Sequence, residues 1–153
     1  MHQERLTTLK RITAVAILAA LAGCSPLELL NQTSPDRHYE RTAGVAYGSD
    51  SRQVLDIYRP AAPLPSAPLV VFFYGGGWRS GDRDNSEFVA SALTEAGITV
   101  VIPDYRLFPD VAFPAFVEDA AAAVSWSVRN ADRLGISTDA IFLMGHSAGA
   151  HIA

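Results

Sequence analysis

Apolar and polar residues change rhythm several times along the chain, and each rhythm predicts an element. Leu69-Val70-Val71-Phe72-Phe73-Tyr74 is a continuous apolar run closed by Gly75-Gly76-Gly77. Such runs fit a strand covered on both faces, as in a parallel sheet. Ile98 to Ile102 is apolar and β-branched and predicts a second buried strand, and Ile141-Phe142-Leu143-Met144 predicts the last one. Gln53 to Tyr58 alternates and stops at Arg59-Pro60, a strand pattern; Tyr39 to Tyr47 alternates more weakly and predicts a first strand. Two stretches have helical signals. Asn85 to Ala96 is closed by Gly97. Pro114 to Leu134 predicts one long helix, with Pro114 in its first turn, Glu118 and Asp119 soon after, Arg129 and Arg133 late, and Gly135 at its end. Its expected buried stripe is Val117, Ala120, Ala121, Val124 and Val128. Between the strands, Pro60 to Pro68 holds four prolines in nine residues and reads as a surface connection. Alternation of strand and helix predicts an α/β fold with a mostly parallel sheet.

The first residues follow another logic. Arg5, Lys10 and Arg11 make a positive region, and Ile12 to Leu21 is apolar except for Thr13, too short for a mature membrane span. Leu21-Ala22-Gly23-Cys24 resembles a bacterial lipobox, in which the signal is cut before a cysteine that is then lipidated. Several acyl chains on one thiol anchor stably where a single chain does not. Ala20-Leu21-Ala22 also fits an ordinary cleavage site, which would make the protein secreted, and an uncleaved anchor is a third alternative. The expected organisation is a lipoprotein signal peptide over 1–23, a polar tether over 24–37 with Pro26 and Pro35, and a folded domain over 38–153. The protein is thereby placed outside a bacterial membrane, held to it through Cys24.

Composition narrows the classes. The 153 residues are 49% hydrophobic and 18% charged, which suits a packed core and excludes extended disorder. The formal net charge is −4, and no basic block follows the first dozen residues, so nucleic acid is not an expected partner. Cys24 is the single cysteine, which rules out an intrachain disulfide. His2, His38, His146 and His151 form no metal-ligand spacing, and no metal is expected.

The chemistry concentrates after the predicted strands. Gly145-His146-Ser147-Ala148-Gly149 has the G-x-S-x-G pattern at a strand-to-helix junction. A serine on so tight a turn takes a strained backbone, and glycines two residues before and after relieve the crowding. The hydroxyl then stands at the carboxyl edge of the sheet, which makes Ser147 the candidate nucleophile. Gly75-Gly76-Gly77 follows a buried strand, where glycine lets backbone N–H groups approach a reacting oxygen; with the N–H of Ala148 they are the candidate oxyanion hole. Asp104 and Arg106 are expected to pair as a buried brace. Trp78 is expected to pack beside the hole, and Asp82 and Arg83 to brace their loop. His146 is expected to point away from the hydroxyl as a structural hydrogen bonder, and His151 to be a satisfied core histidine.

Together these residues resemble the α/β-hydrolase superfamily, in its carboxylesterase and hormone-sensitive-lipase-like branch. Leu55-Asp56-Ile57-Tyr58, Tyr74-Gly75-Gly76-Gly77-Trp78, Asp104-Tyr105-Arg106-Leu107, Phe113-Pro114-Ala115-Phe116-Val117-Glu118-Asp119 and Gly145 to Gly149 carry the resemblance, from about Gln53 to the last residue. It implies a serine hydrolase of small carboxylic esters that needs no cofactor, with Ser147 as nucleophile and Gly76, Gly77, Ala148 and also Gly75 around the oxyanion. Amides, formamides and acylated carbohydrates remain alternative substrates, and a non-catalytic envelope lipoprotein using the scaffold to bind is the alternative role. Tyr74 stands where the family usually has histidine. The family's acid and histidine base lie later than these residues reach, so the chain is expected to be the N-terminal half of the fold, truncated after the elbow and inactive or poorly folded by itself, with Ile141 to Met144 left as an exposed apolar edge.

Overall fold

Five strands make one sheet in the order β1-β2-β4-β3-β5. The strands are β1 (Tyr39–Ala46), β2 (Val54–Pro60), β3 (Ala67–Phe73), β4 (Thr99–Pro103) and β5 (Ile136–Gly145). The computed structural model describes residues 38–64 and 66–153. The expected signal peptide, the tether and Cys24 lie outside the described residues.

The sheet is mixed. β4, β3 and β5 run parallel, while β2 is antiparallel to both β1 and β4. The parallel strands are the continuous apolar runs: Leu69, Val71, Phe73, Val100, Val101 and Ile102 are buried with no measurable exposure. Leu55, Ile57 and Tyr58 of β2 join them. β1 bulges between Thr42 and Val45, where Gly44 adopts φ 69° and its N–H reaches Asp56 Oδ1 at 2.8 Å.

This topology sets the site. β3, β4 and β5 all end at one edge, so Tyr74, Asp104 and His146 begin three neighbouring loops. β2 runs the other way, with Leu55 opposite Pro103, so the β1–β2 turn also lies at that edge. The Asp104 N–H bonds the Val54 carbonyl at 2.9 Å.

The helices depart from the sequence pattern in instructive ways. The segment expected as Asn85 to Ala96 opens with a 3₁₀ turn, Arg83–Ser86, capped by the Asp82 side chain, before α1 (Glu87–Glu95). The long helix expected from Pro114 to Leu134 is two helices, α2 (Ala115–Arg129) and α3 (Ala131–Leu134). Asn130 interrupts it, turning its side-chain amide back to the Trp126 carbonyl at 2.8 Å in place of a continuing helix. Gly135 then closes α3 in the left-handed region, φ 68°.

The buried side of α2 is Phe116, Asp119, Ala120, Ala123 and Ser127, which keeps only Ala120 of the expected apolar stripe. Ala121 and Val128 are exposed. Asp119 turns this face inward because its partners, Arg106 and Gln53, lie outside the helix; Ser127 on the same face is tolerated because its hydroxyl donates within the helix to the Ala123 carbonyl at 2.9 Å. Val117, Ala121 and Val124 instead line a groove of about 370 Å³ with Leu143 and Ile152. β5 has β3 on one side and, among the described residues, no strand on the other. Phe142, Leu143 and Met144 are 58%, 45% and 45% exposed, the open apolar edge that the resemblance anticipates.

Candidate active site

Ser147 links β5 to α4 (Ala148–Ile152) with φ 53° and ψ −119°. A serine in this region costs roughly 1–3 kcal/mol and persists only where its surroundings enforce it. Several bonds enforce it here. The His146 N–H donates to the Phe73 carbonyl at 3.1 Å, and the Gly149 N–H to the His146 carbonyl at 2.9 Å. The Ser147 carbonyl accepts from Ala150 at 3.0 Å and His151 at 3.2 Å. The flanking glycines are steric necessities. A Cβ on Gly145 would lie 2.4 Å from the Gly149 carbonyl group, and one on Gly149 would lie 2.0 Å from the Phe73 oxygen. The result is an exposed serine on a turn clamped to the end of β3.

The glycine loop lies beside it. A Cβ on Gly75 would sit 3.0 Å from Ser147 Cβ and 2.9 Å from His146 Nδ1. Gly76, Gly77 and Trp78 follow with φ of 134°, 61° and 58°. The Gly76 carbonyl accepts from Arg79 and Ser80, at 3.1 and 3.2 Å. Among the described residues no carbonyl takes the N–H of Gly76, Gly77 or Ala148. The structure therefore brings Ser147 and Gly75 into contact and places Gly76, Gly77 and Ala148 on the two turns that meet there.

Two histidines flank the serine, and neither bonds its hydroxyl among the described residues. His146 is exposed, with its ring against Gly75. His151, expected in the core, is exposed as well; α4 is only five residues long, and its open face leaves the ring edge-on to Trp78 at 5.4 Å. Trp78 packs as expected, stacking on Phe116 at 6.0 Å.

The expected Asp104–Arg106 pair does not form. Arg106 turns toward α2 and grips Asp119 through Nε and NH2, at 2.7–3.1 Å. Asp104, 3% exposed, turns inward and accepts the Arg83 guanidinium, the Arg83 N–H at 2.9 Å and the Tyr74 hydroxyl at 2.7 Å. Arg83 also bridges to buried Asp56, its Nε 2.8 Å from Oδ1. The bracing role expected of Asp82 and Arg83 is thus met, and Asp56 and Asp119 are further buried carboxylates in the same scaffold. Asp104 and Arg106 both lie in the loop just beyond β4, where strand alternation no longer applies, and each finds a partner from another element: Tyr74 and Arg83 for Asp104, Asp119 for Arg106.

Burial, then the neighbouring Asp104 charge, push the Tyr74 phenol far above its ordinary range, so it remains a donor at any working pH. Burial pushes Tyr105 up to about 12. Burial would also raise the Asp119 carboxyl, but the bonds from Arg106 and Gln53 outweigh it and hold Asp119 below the usual carboxylate range.

The comparisons with known proteins now bear on this geometry. The BD-FAE family model matches residues 55–153, from β2 through the elbow. The chain belongs to the BD-FAE family. Family membership covers both the glycine loop and Ser147. A probable isoprenylcysteine alpha-carbonyl methylesterase of Oryza sativa subsp. japonica is 38% identical over 109 residues, 71% of this chain and 26% of the relative. A carboxylesterase, NlhH, of Mycobacterium tuberculosis is 35% identical over 130 residues, 84% of this chain and 39% of the relative. Esterase B from Lactobacillus rhamnosis superposes with a TM-score of 0.76 at 27% identity, over 99% of this chain and 48% of that one. The chain thus has the N-terminal part of the α/β-hydrolase fold, and it spans less than half the length of each of these relatives.

Proposed function

We propose that the protein is a serine esterase in which Ser147 is acylated by a small carboxylic ester. The observation that carries this reading is the enforced φ 53°, ψ −119° turn of Ser147, standing against a glycine loop in which the Gly76 and Gly77 N–H groups meet no backbone carbonyl among the described residues. A strained serine between the carboxyl end of a parallel strand and a helix fits the cost of positioning a hydroxyl for attack.

The steps follow from the positions. Ser147 Oγ attacks the ester carbonyl, its proton passes to a base, and the tetrahedral oxyanion is held by the N–H groups of Gly76, Gly77 and Ala148, with Gly75 beside them. Each such donor lowers the barrier by roughly 3 kcal/mol. The intermediate collapses by expelling the alcohol, which takes up the proton, and water then hydrolyses the acyl-enzyme by the same route reversed. Among the described residues neither His146 nor His151 bonds Oγ, so this reading assigns the base to neither and takes the motif's usual order of serine, then acid, then histidine. Because no base is bonded to Ser147 among the described residues, the 153-residue span alone is expected to be inactive. The test is hydrolysis of a short-chain aryl ester by full-length protein and by the span alone. Turnover by the full-length protein only is expected; equal turnover by both would place the base among the residues described here.

The lipobox-like Leu21-Ala22-Gly23-Cys24 supports a further reading: the enzyme is exported and held to the outer side of a bacterial membrane by lipid on Cys24. Metabolic palmitate labelling is expected to disappear in Cys24→Ala, and label retained by that variant would contradict the anchor.

A further inference from the structure

The tip of the β1–β2 hairpin, which no active-site motif includes, reaches the loop edge through one arginine. The Arg52 guanidinium donates to three groups: Nε to the Tyr105 carbonyl at 2.8 Å, and NH2 to the Tyr74 hydroxyl at 2.8 Å and the Gly81 carbonyl at 3.0 Å. Tyr74 precedes the glycine loop, and Gly81 closes it. The same guanidinium thus holds both ends of the segment that carries Gly75, Gly76 and Gly77.

Tyr74 is fixed on every side. Its hydroxyl donates to Asp104 Oδ1, its carbonyl accepts from the Tyr105 hydroxyl at 2.8 Å, and its ring stacks on Tyr105 with centroids 4.9 Å apart. A Cβ on Gly81 would lie 2.6 Å from the Tyr74 ring, so the loop returns directly onto it. Arg52 is fixed in turn: its N–H bonds Asp50 Oδ1 at 2.8 Å, and next to it the Gln53 amide bonds Asp119 Oδ1 at 2.8 Å. Arg52 NH2 also lies 3.8 Å from Asp104 Oδ1 and so faces a buried carboxylate.

We infer that Arg52, acting through Tyr74 and Gly81, is the positioning residue that sets the height and spacing of the loop's N–H groups over Ser147. This inference rests on the esterase reading above. Arginine suits the task because one planar, always-charged fork bonds three acceptors in fixed directions, whereas lysine offers a single point charge. Tyr74 suits it because a phenol extends further than an imidazole and both accepts from Arg52 and donates to Asp104. Hydrogen-bond donors act on a transition state only when they stand within a few tenths of an ångström of the oxyanion, so a loosened loop costs turnover before it costs binding.

The experiment is steady-state hydrolysis of a short-chain aryl ester by full-length protein, with Arg52→Ala, Tyr74→Phe and Ser147→Ala compared with the parent. Arg52→Ala is expected to lose about 10- to 100-fold in kcat with KM within about twofold, and millimolar guanidinium, but not equal sodium chloride, to restore part of the loss. Tyr74→Phe keeps the stacked ring, so it keeps the fold and is expected to lose several-fold in kcat. Unchanged kcat in either soluble variant would overturn the inference, as would a loss in Arg52→Ala that guanidinium does not relieve. If Arg52→Ala is insoluble, Tyr74→Phe decides. If Ser147→Ala keeps the parent rate, the esterase reading falls and the positioning role with it; if only Ser147→Ala is inactive, the esterase reading stands and the role of Arg52 falls alone.

Discussion

Ser147→Ala in the full-length protein is expected to lower kcat for a short-chain ester by about 10⁵- to 10⁶-fold, because loss of the attacking oxygen removes the covalent route altogether. Its fold should survive. Alanine keeps the Cβ and inherits the same backbone, held by the Phe73, His146 and Ser147 carbonyl bonds. Ser147→Gly makes the prediction sharper. Glycine adopts φ 53° without steric cost, so roughly 1–3 kcal/mol of strain is relieved, against the roughly 0.5–1 kcal/mol that glycine loses to unfolded-state entropy. The glycine variant should therefore be dead yet about 1 kcal/mol more stable, a rise of a few degrees in Tm by calorimetry. A glycine variant less stable than the parent would mean that the turn is not strained.

Gly149→Ala has the second large expected effect, and on stability first. The new Cβ would lie 2.0 Å from the Phe73 oxygen and 2.5 Å from the Tyr74 oxygen. Both are backbone atoms at the carboxyl end of β3, and the Phe73 oxygen already accepts the His146 N–H that clamps the elbow. Nothing there yields without parting β5 from β3. A loss of about 3 kcal/mol or more is expected by denaturant titration, with activity lost alongside. Gly77→Ala separates sterics from conformation. Its Cβ meets nothing within 4 Å, so only the positive φ opposes it, at about 1 kcal/mol. If Gly149→Ala were no worse than Gly77→Ala, the close packing of elbow on strand would be wrong.

The contrast shows what a linear pattern conveys. Strands β3, β4 and β5 are legible because parallel strands buried on both faces leave continuous apolar runs. The elbow is legible because a strained turn dictates its glycines at fixed spacing. The rotation of α2 is not, since Asp119 and Ser127 count as polar in any hydropathy pattern; Asp119 is buried on partners outside the helix, Arg106 and Gln53, while Ser127 is satisfied within the helix by the Ala123 carbonyl. Asp104 and Arg106 look like a pair because they are near neighbours in sequence, yet in the loop beyond β4 each is claimed by a residue distant in sequence: Arg83 and Tyr74 for one, Asp119 for the other. Arg52 leaves the faintest trace of all. In Gly48-Ser49-Asp50-Ser51-Arg52 it reads as one charge in a polar turn, and only the antiparallel return of β2 brings that turn to the edge where Tyr74 and Gly81 wait. The open side of β5, with Phe142, Leu143 and Met144 exposed beside the α2 groove, follows from the resemblance, which makes this apolar strand an interior one, and not from the hydropathy pattern alone.

The most direct measurement of the central claim is covalent. Full-length protein treated with a fluorophosphonate is expected to gain one adduct by intact-mass spectrometry, mapped by digestion to Ser147 and absent from Ser147→Ala. An adduct on another residue, or none on protein that still hydrolyses esters, would contradict the account.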